Sequence, residues 1–381
     1  MVVLYMSRIQ VFPIDGGENL RAYSLINSLD KLSSHLYVII PMKRLDITDS
    51  HIAKLDNTEF INHNYSRLNL AFPFYKQCTL RRKIESIKGI DVAVIDYSFY
   101  GQYISILKDK GITVIYSTHN AQGELVKQKL FQNIFLRILN RAYSRLVAIH
   151  ERIYFNKADY VLTVSEKDRE YHETFVCKDK LRVIPNSLDI EQYRRYHKVE
   201  KKRKLVVFCA NFCSFQNVEG FRWFMNEIFD EQLNREIDLL LVGKGSDEIL
   251  RRFRIGRNEN ISATGSVNSV LSFVARAQVS IVPLIHGSGT RLKILEAMAL
   301  KTQIVSTSKG AEGVKHCGTI IIADDKEKFK EGILEAVHHQ NEDSINRAFR
   351  IVEMLYSFKV MKEALEKILI KQKKELANYE R

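Results

Sequence analysis

Short apolar runs alternate with amphipathic stretches along nearly the whole chain. In the second half the runs are Leu205–Phe208, Leu239–Val242, Ile261–Thr264, Val279–Val282, Gln303–Ser306 and Thr319–Ile322. Helical periodicity separates most of them, most clearly over Val218–Ile228 and Asn268–Ala277. Brief β-rich runs bounded by Gly, Pro or polar residues have the pattern of buried parallel strands. Alternation on this scale predicts a doubly wound α/β sheet. The first half repeats it, with strands predicted at Val2–Met6, Leu36–Ile40, Val92–Ile95, Ile112–Tyr116, Tyr160–Val164 and Arg182–Ile184. A long helix is predicted from about Glu124 to Asn156, its apolar positions Phe131, Ile134, Phe135, Ile138, Ala142, Leu146, Ile149 and Ile153 stepping by three and four.

The charged segment His197–Lys204 breaks the alternation and is taken as a linker. With 381 residues the chain exceeds one ordinary core. Two α/β lobes are expected, 1–195 and 196–355, facing across a cleft at the carboxyl ends of their strands, where ligands bind in such sheets. A last amphipathic helix, over about Phe358–Lys374 within 356–381, is expected to pack back on the first lobe. No apolar run approaches the roughly 20 residues of a membrane span. No basic leader precedes the first strand, so a cytoplasmic protein is expected. Five cysteines without framework spacing argue against a disulfide scaffold, and Cys209 and Cys213 are expected to pack in the core.

The segment Gly287–Ala297 (Gly-Ser-Gly-Thr-Arg-Leu-Lys-Ile-Leu-Glu-Ala) carries the sharpest chemistry. It follows the strand ending at Pro283-Leu284, and helix-forming residues begin near Thr290. Glycines let backbone amides approach a ligand, and a helix start offers free N–H groups and positive dipole to phosphate oxygens. Arg291 and Lys293 place full cations in that first turn, which costs stability unless an anion offsets them. Glu296, further along, can reach a ribose diol.

The stretch Ile281–Val314, with Ser306-Thr307-Ser308-Lys309-Gly310-Ala311-Glu312-Gly313-Val314 at its end, resembles the donor-binding region of glycosyltransferase family 4. Further similarities follow in order along the chain: Asp15-Gly16-Gly17, Ser117-Thr118-His119-Asn120, Ala158–Ser165, Ile184–Asp189, Asn217–Phe224 and Thr264–Val267. The resemblance implies a GT-B fold of two Rossmann-like lobes, a nucleoside-diphosphate sugar donor with UDP or GDP as the carrier, retention of anomeric configuration, and no metal or other cofactor. It also implies roles. Gly16 and Gly17 let the backbone meet the diphosphate or acceptor, and His119 contacts the transferring sugar. Ser288, Gly289, Thr290, Arg291 and Lys293 surround the leaving diphosphate, Glu296 holds the ribose, and backbone near Val267 meets the base. Charge builds on the leaving diphosphate as the glycosidic bond breaks, so preorganised cations and amides supply catalysis. Ser288 stands where the family usually has an acid that touches the sugar hydroxyls, so the resemblance does not fix the sugar. Ala210 replaces the family's usual glycine, and Arg291 and Lys293 substitute for the basic pair missing beside Gln216 and Asn217.

A formal charge of +13 calls for anionic partners. Between Lys127 and Lys157, seven cations (Lys127, Lys129, Arg137, Arg141, Arg145, Arg152 and Lys157) face one acid, Glu151. The spacing of Arg137, Arg141 and Arg145 fits either a solvated helix face or contact with an anionic membrane surface, on the inner face of the plasma membrane, where a lipid-linked acceptor would reside. No recognition motif or aromatic platform accompanies the charge, so nucleic acid is not an expected partner. The expected activity is transfer to a glycan or lipid-linked acceptor of a bacterial surface polysaccharide, capsule or lipopolysaccharide. The alternatives are a sugar-nucleotide epimerase of the same architecture, for which no acid/base carboxylate pair stands out, and a non-catalytic nucleotide-sugar-binding relative.

Overall fold

The computed structural model describes the chain except residues 15, 43–50, 65–73, 98–99, 121, 123–125, 127–133, 254–259, 288–290 and 380–381, and the side chains from 371 onward. Among the described residues two sheets form, each entirely parallel. The first holds β1 (Val2–Ser7), β2 (His35–Ile40), β3 (Thr58–Asn62), β4 (Val92–Asp96), β5 (Thr113–Ser117), β6 (Tyr160–Thr163) and β7 (Leu181–Val183), in the order β3-β2-β1-β4-β5-β6-β7. The second holds β8 (Lys202–Cys209), β9 (Asp238–Val242), β10 (Ile261–Ala263), β11 (Ala277–Val282), β12 (Gln303–Ser306) and β13 (Ile321–Ile322), in the order β10-β9-β8-β11-β12-β13.

Strand alternation sends successive residues to opposite faces, and both faces are covered. In β1, Val3 and Tyr5 join one core while Leu4 and Met6 join another. The chain divides into two compact units, Met1–Ser187 with Phe358–Arg381, and Leu188–Ser357. The first unit is thus built from both ends of the chain. Its last helix, Phe358–Tyr379, presses Met361, Leu365, Ile368 and Leu369 into the core that Ala22, Leu25, Ile26 and Leu29 of the Gly17–Leu32 helix share.

Several local expectations need correction. The division falls between Ser187 and Leu188 rather than near 195, because Leu188 N–H donates to the Tyr356 carbonyl at 2.7 Å and the Ile190–Arg194 helix follows inside the second unit. Lys202–Lys204 open strand β8 instead of ending a linker, with Lys202 Nζ 2.9 Å from Asp238. His197 also has a packed place, its Nε2 2.9 Å from the Ala299 carbonyl oxygen. Cys209 is buried, but Cys213 is exposed. The long helix, seen over Ile134–Lys157, buries Ser144, Val147, His150, Glu151, Tyr154 and Phe155. Its apolar stripe lies on the opposite side: Ile134, Phe135, Ile138, Ile149 and Ile153 are exposed.

Candidate functional site

In each sheet the strand order reverses once, between β1 and β4 and between β8 and β11. Such switch points open a crevice at the carboxyl ends of the strands. Each unit places its polar residues there.

In the second unit, the Phe215–Trp223 helix follows β8 and the Leu292–Ala299 helix follows β11. Their starts meet across the switch point, where Lys293 Nζ donates to Asn217 Oδ1 at 3.1 Å. Asn217 in turn donates to the Asn211 carbonyl at 2.8 Å, which ties the loop after β8 to the same point. Gly220 makes the approach feasible, since a Cβ there would lie 2.7 Å from the Pro283 carbonyl oxygen at the end of β11. Glycine is equally required at 287, where φ is +112° and a Cβ would sit 2.9 Å from an Arg291 guanidinium nitrogen. The guanidinium of the buried Arg291 therefore lies against Gly287.

Burial sets the electrostatics. It pushes Lys293 down to about 8, with help from the positive charge of Arg291. Arg291 is lowered by burial too, and the Glu312 carboxylate pulls the other way. Glu296, one helical turn beyond Lys293, is pushed up to about 7 by burial against the opposing effects of the Tyr193 hydroxyl and Lys293. Tyr193 donates to Glu296 Oε1 at 3.3 Å. Lys293 also lies 5.6 Å over the Phe208 ring. Two cations and a carboxyl that titrates near neutrality thus lie within six residues at the start of one helix. Cations held in partial desolvation gain from an anion brought beside them.

In the first unit the centre is Asp96, the last residue of β4. His119 Nε2 lies 2.9 Å from Asp96 Oδ2 and 3.0 Å from Oδ1, and the Tyr5 hydroxyl donates to Oδ2 at 2.7 Å. The His119 and Asp96 side chains are 3% and 0% exposed. Burial acts to raise Asp96, yet His119, Arg21 and Tyr5 together hold it below the ordinary carboxylate range. The buried Arg21 donates to the Ile184 carbonyl at 2.9 Å and to Asn186 Oδ1 at 3.3 Å. Tyr97 meets the His119 ring edge-on at 4.9 Å, carries the Arg8 guanidinium 4.1 Å over its own ring, and donates to Glu18 Oε1 at 3.3 Å. That last bond brings the start of the Gly17–Leu32 helix beside the ends of β4 and β5.

Of the residues singled out from sequence, Arg291, Lys293 and Glu296 come together on one helix start, His119 is buried against Asp96 and Tyr97 in the first unit, and Gly16 and Gly17 are exposed at the start of the Gly17–Leu32 helix. Val267 is half-buried in the loop after β10, a different strand end from the Arg291 group. Ser288, Gly289 and Thr290 lie outside the described residues. Sequence reasoning missed Asp96 and Tyr193. An acid closing the apolar run Val92–Ile95 at a carboxyl strand end was a usable signal for Asp96. Tyr193, among charged neighbours in a five-residue helix, gave none.

Similarity to known proteins covers both units. The sequence model of Glycosyltransferase Family 4 matches residues 15–192, and that of Glycosyl transferases group 1 matches residues 203–339. An uncharacterized 44.6 kDa protein in the cps region of Klebsiella pneumoniae is 24% identical over 276 residues, covering 66% of this chain and 67% of its own. Among solved structures, HepE from Anabaena in complex with UDP aligns over 97% of this chain and all of its own (100%), with a TM-score of 0.70 at 12% identity. A glycosyltransferase from Rickettsia africae aligns over 99% of each chain with a TM-score of 0.65 at 15% identity. WaaG, a glycosyltransferase involved in lipopolysaccharide biosynthesis, aligns over 96% of this chain and 98% of its own, with a TM-score of 0.65 at 15% identity. With paired parallel sheets of the GT-B kind and two family matches that between them span most of its length, the chain belongs to the group 1, family 4 glycosyltransferases.

Proposed function

We propose that this glycosyltransferase takes its sugar from a nucleoside diphosphate, UDP or GDP, and transfers it with retention to a glycan or lipid-linked acceptor during assembly of a bacterial surface polysaccharide. The observation that carries the reading is the Arg291, Lys293 and Glu296 cluster at the switch point of the second sheet. A diphosphate leaving group accumulates negative charge as the sugar departs, and two desolvated cations at a helix start stabilise it without reorganisation. In the proposal these cations take the place of a divalent metal. The Glu296 carboxylate accepts from the ribose hydroxyls, and backbone near Val267 meets the base. His119, fixed by Asp96, contacts the transferring sugar. The cps-region relative and the lipopolysaccharide enzyme support the surface-glycan setting, and the UDP complex of HepE supports the carrier.

The test is a thermal-shift and hydrolysis screen of nucleotide sugars, with and without EDTA, on the wild type and on Glu296→Ala and Arg291→Ala. UDP or GDP should raise the melting temperature of the wild type and do so less in both variants, with hydrolysis indifferent to EDTA. A wild type that no nucleotide stabilises removes the donor site.

A further inference from the structure

Tyr193 is 3% exposed, and among the described residues its hydroxyl bonds only to Glu296 Oε1, at 3.3 Å. Phenylalanine would fill nearly the same space, and a buried hydroxyl without a partner costs stability, so that one bond accounts for the oxygen. The Ile190–Arg194 helix that carries Tyr193 is fastened on both sides within the second unit. Ahead of it Leu188 N–H donates to the Tyr356 carbonyl at 2.7 Å. At its end Arg194 pairs with Glu353 and lies 5.7 Å over the Phe349 ring. His197 Nε2, 2.9 Å from the Ala299 carbonyl oxygen, ties the next turn to the end of the helix that bears Glu296. The hydroxyl is thus held in place relative to the carboxylate it meets. Glu296 is half-buried, and among the described residues Tyr193 is its one hydrogen-bond donor. A carboxylate has about four lone-pair positions, so most of its accepting capacity is left for a ligand.

We propose that Tyr193 is a positioning residue for the donor. Its hydroxyl aims the Glu296 carboxylate to accept both hydroxyls of a ribose, and the site thereby selects ribonucleotides over 2′-deoxyribonucleotides. With one oxygen held from the interior, the carboxylate cannot turn to another partner when the 2′-hydroxyl is missing. A deoxyribose then leaves a desolvated acceptor unpaired. Without the tyrosine bond the carboxylate can turn and serve the 3′-hydroxyl alone, and the penalty shrinks. The hydroxyl also favours the ionised carboxylate, as does Lys293 on the same helix, while burial opposes both. The other titratable groups around this point are Cys209 at the end of β8, kept neutral by burial, and Arg291, whose charge acts on Lys293. The inference rests on the ribose role proposed for Glu296 and adds the residue that makes that role selective.

The experiment is calorimetric titration of the full chain with UDP, 2′-deoxy-UDP, GDP and 2′-deoxy-GDP over roughly pH 6 to 8. The wild type should bind the ribo form of its nucleotide on the order of 10- to 100-fold more tightly than the deoxy form. Tyr193→Phe should keep the wild-type circular dichroism spectrum and cut that ratio to about threefold. In Glu296→Ala the ratio should be close to unity, and adding Tyr193→Phe should change nothing, because the hydroxyl acts through the carboxylate. Wild-type affinity should rise with pH as Glu296 ionises. In Tyr193→Phe that rise should move to higher pH, since a group that favours the carboxylate is gone. A packing role for the ring would move neither the ratio nor the pH profile. Three results would overturn the proposal and leave the nucleotide site standing: a wild type that binds ribo and deoxy forms equally, a Tyr193→Phe ratio equal to the wild type's, or an effect of Tyr193→Phe that persists beside Glu296→Ala. A wild type that binds neither UDP nor GDP would remove the donor site, and this inference with it.

Discussion

Replacing Glu296 by Gln should strengthen the fold and weaken the enzyme. In the folded chain burial moves this carboxyl from an ordinary 4.5 to about 7. Below the ordinary value both folded and unfolded chains carry the proton, and the group contributes no difference. As pH rises toward 7 the unfolded chain releases the proton and the folded one keeps it, so stability falls. Above pH 7 the folded chain bears the whole burden of a desolvated carboxylate, about 3 kcal/mol relative to acid conditions. Glutamine cannot ionise. The stability difference between variant and wild type should therefore grow by about 3 kcal/mol between roughly pH 4.5 and pH 8.5. For a unit of this size that corresponds to about 6 to 12 °C in melting temperature. Scanning calorimetry of both proteins across the range, paired with titration by the nucleotide that the screen identifies, makes the test. The variant should bind nucleotide less tightly, because an amide accepts a diol less well than a carboxylate. A melting-temperature gap that stays flat with pH would show that Glu296 is solvated and ionised throughout, and the electrostatic account of the cluster would fall.

Three further outcomes follow from the same geometry. Lys293→Met should weaken nucleotide binding by about 10- to 100-fold. Because wild-type Lys293 sits near 8, wild-type affinity should fall from neutral pH toward pH 9 while the variant's stays level; parallel profiles would exclude Lys293 from the diphosphate. Asp96→Asn should cut kcat about 10- to 100-fold with little change in nucleotide Kd, since it loses the charged partner that orients His119; equal losses in both would point to a collapsed fold. Gly243→Ala should cost at least about 2 kcal/mol, read by calorimetry, for φ is +122° there and a Cβ would lie 2.3 Å from the Ala210 carbonyl oxygen. A wild-type melting temperature would mean that the backbones after β8 and β9 do not approach this closely.

Periodicity was enough to locate most strands, because parallel strands buried on both faces leave uninterrupted apolar runs such as Val92–Ile95. It failed at β3, where Thr58, Glu59 and Asn62 dilute the pattern of an edge strand. It failed differently at Lys202–Lys204, where charged residues begin a strand before it enters the core. In the long helix the spacing is helical, but spacing alone does not tell which medium the apolar side faces, and here much of it faces outward. For the site, local grammar served well where glycines and cations are contiguous, as over Gly287–Ala297. The Asp96–His119 pair spans 23 positions and the Tyr193–Glu296 pair 103, so neither is visible until the chain is folded.

The first unit draws its core from both chain ends, and that fixes an order of events on the ribosome. Leu188–Ser357 is contiguous and can complete its own core as soon as it emerges. The Gly17–Leu32 helix, though made early and packed on β1 and β2, keeps part of its apolar side uncovered until Met361, Leu365 and Leu369 arrive. Synthesis runs from the amino end, but completion of the two cores runs in reverse. A nascent chain stalled just before Phe358 would therefore display a finished second unit beside an unfinished first one, and the unfinished one is where a chaperone would bind.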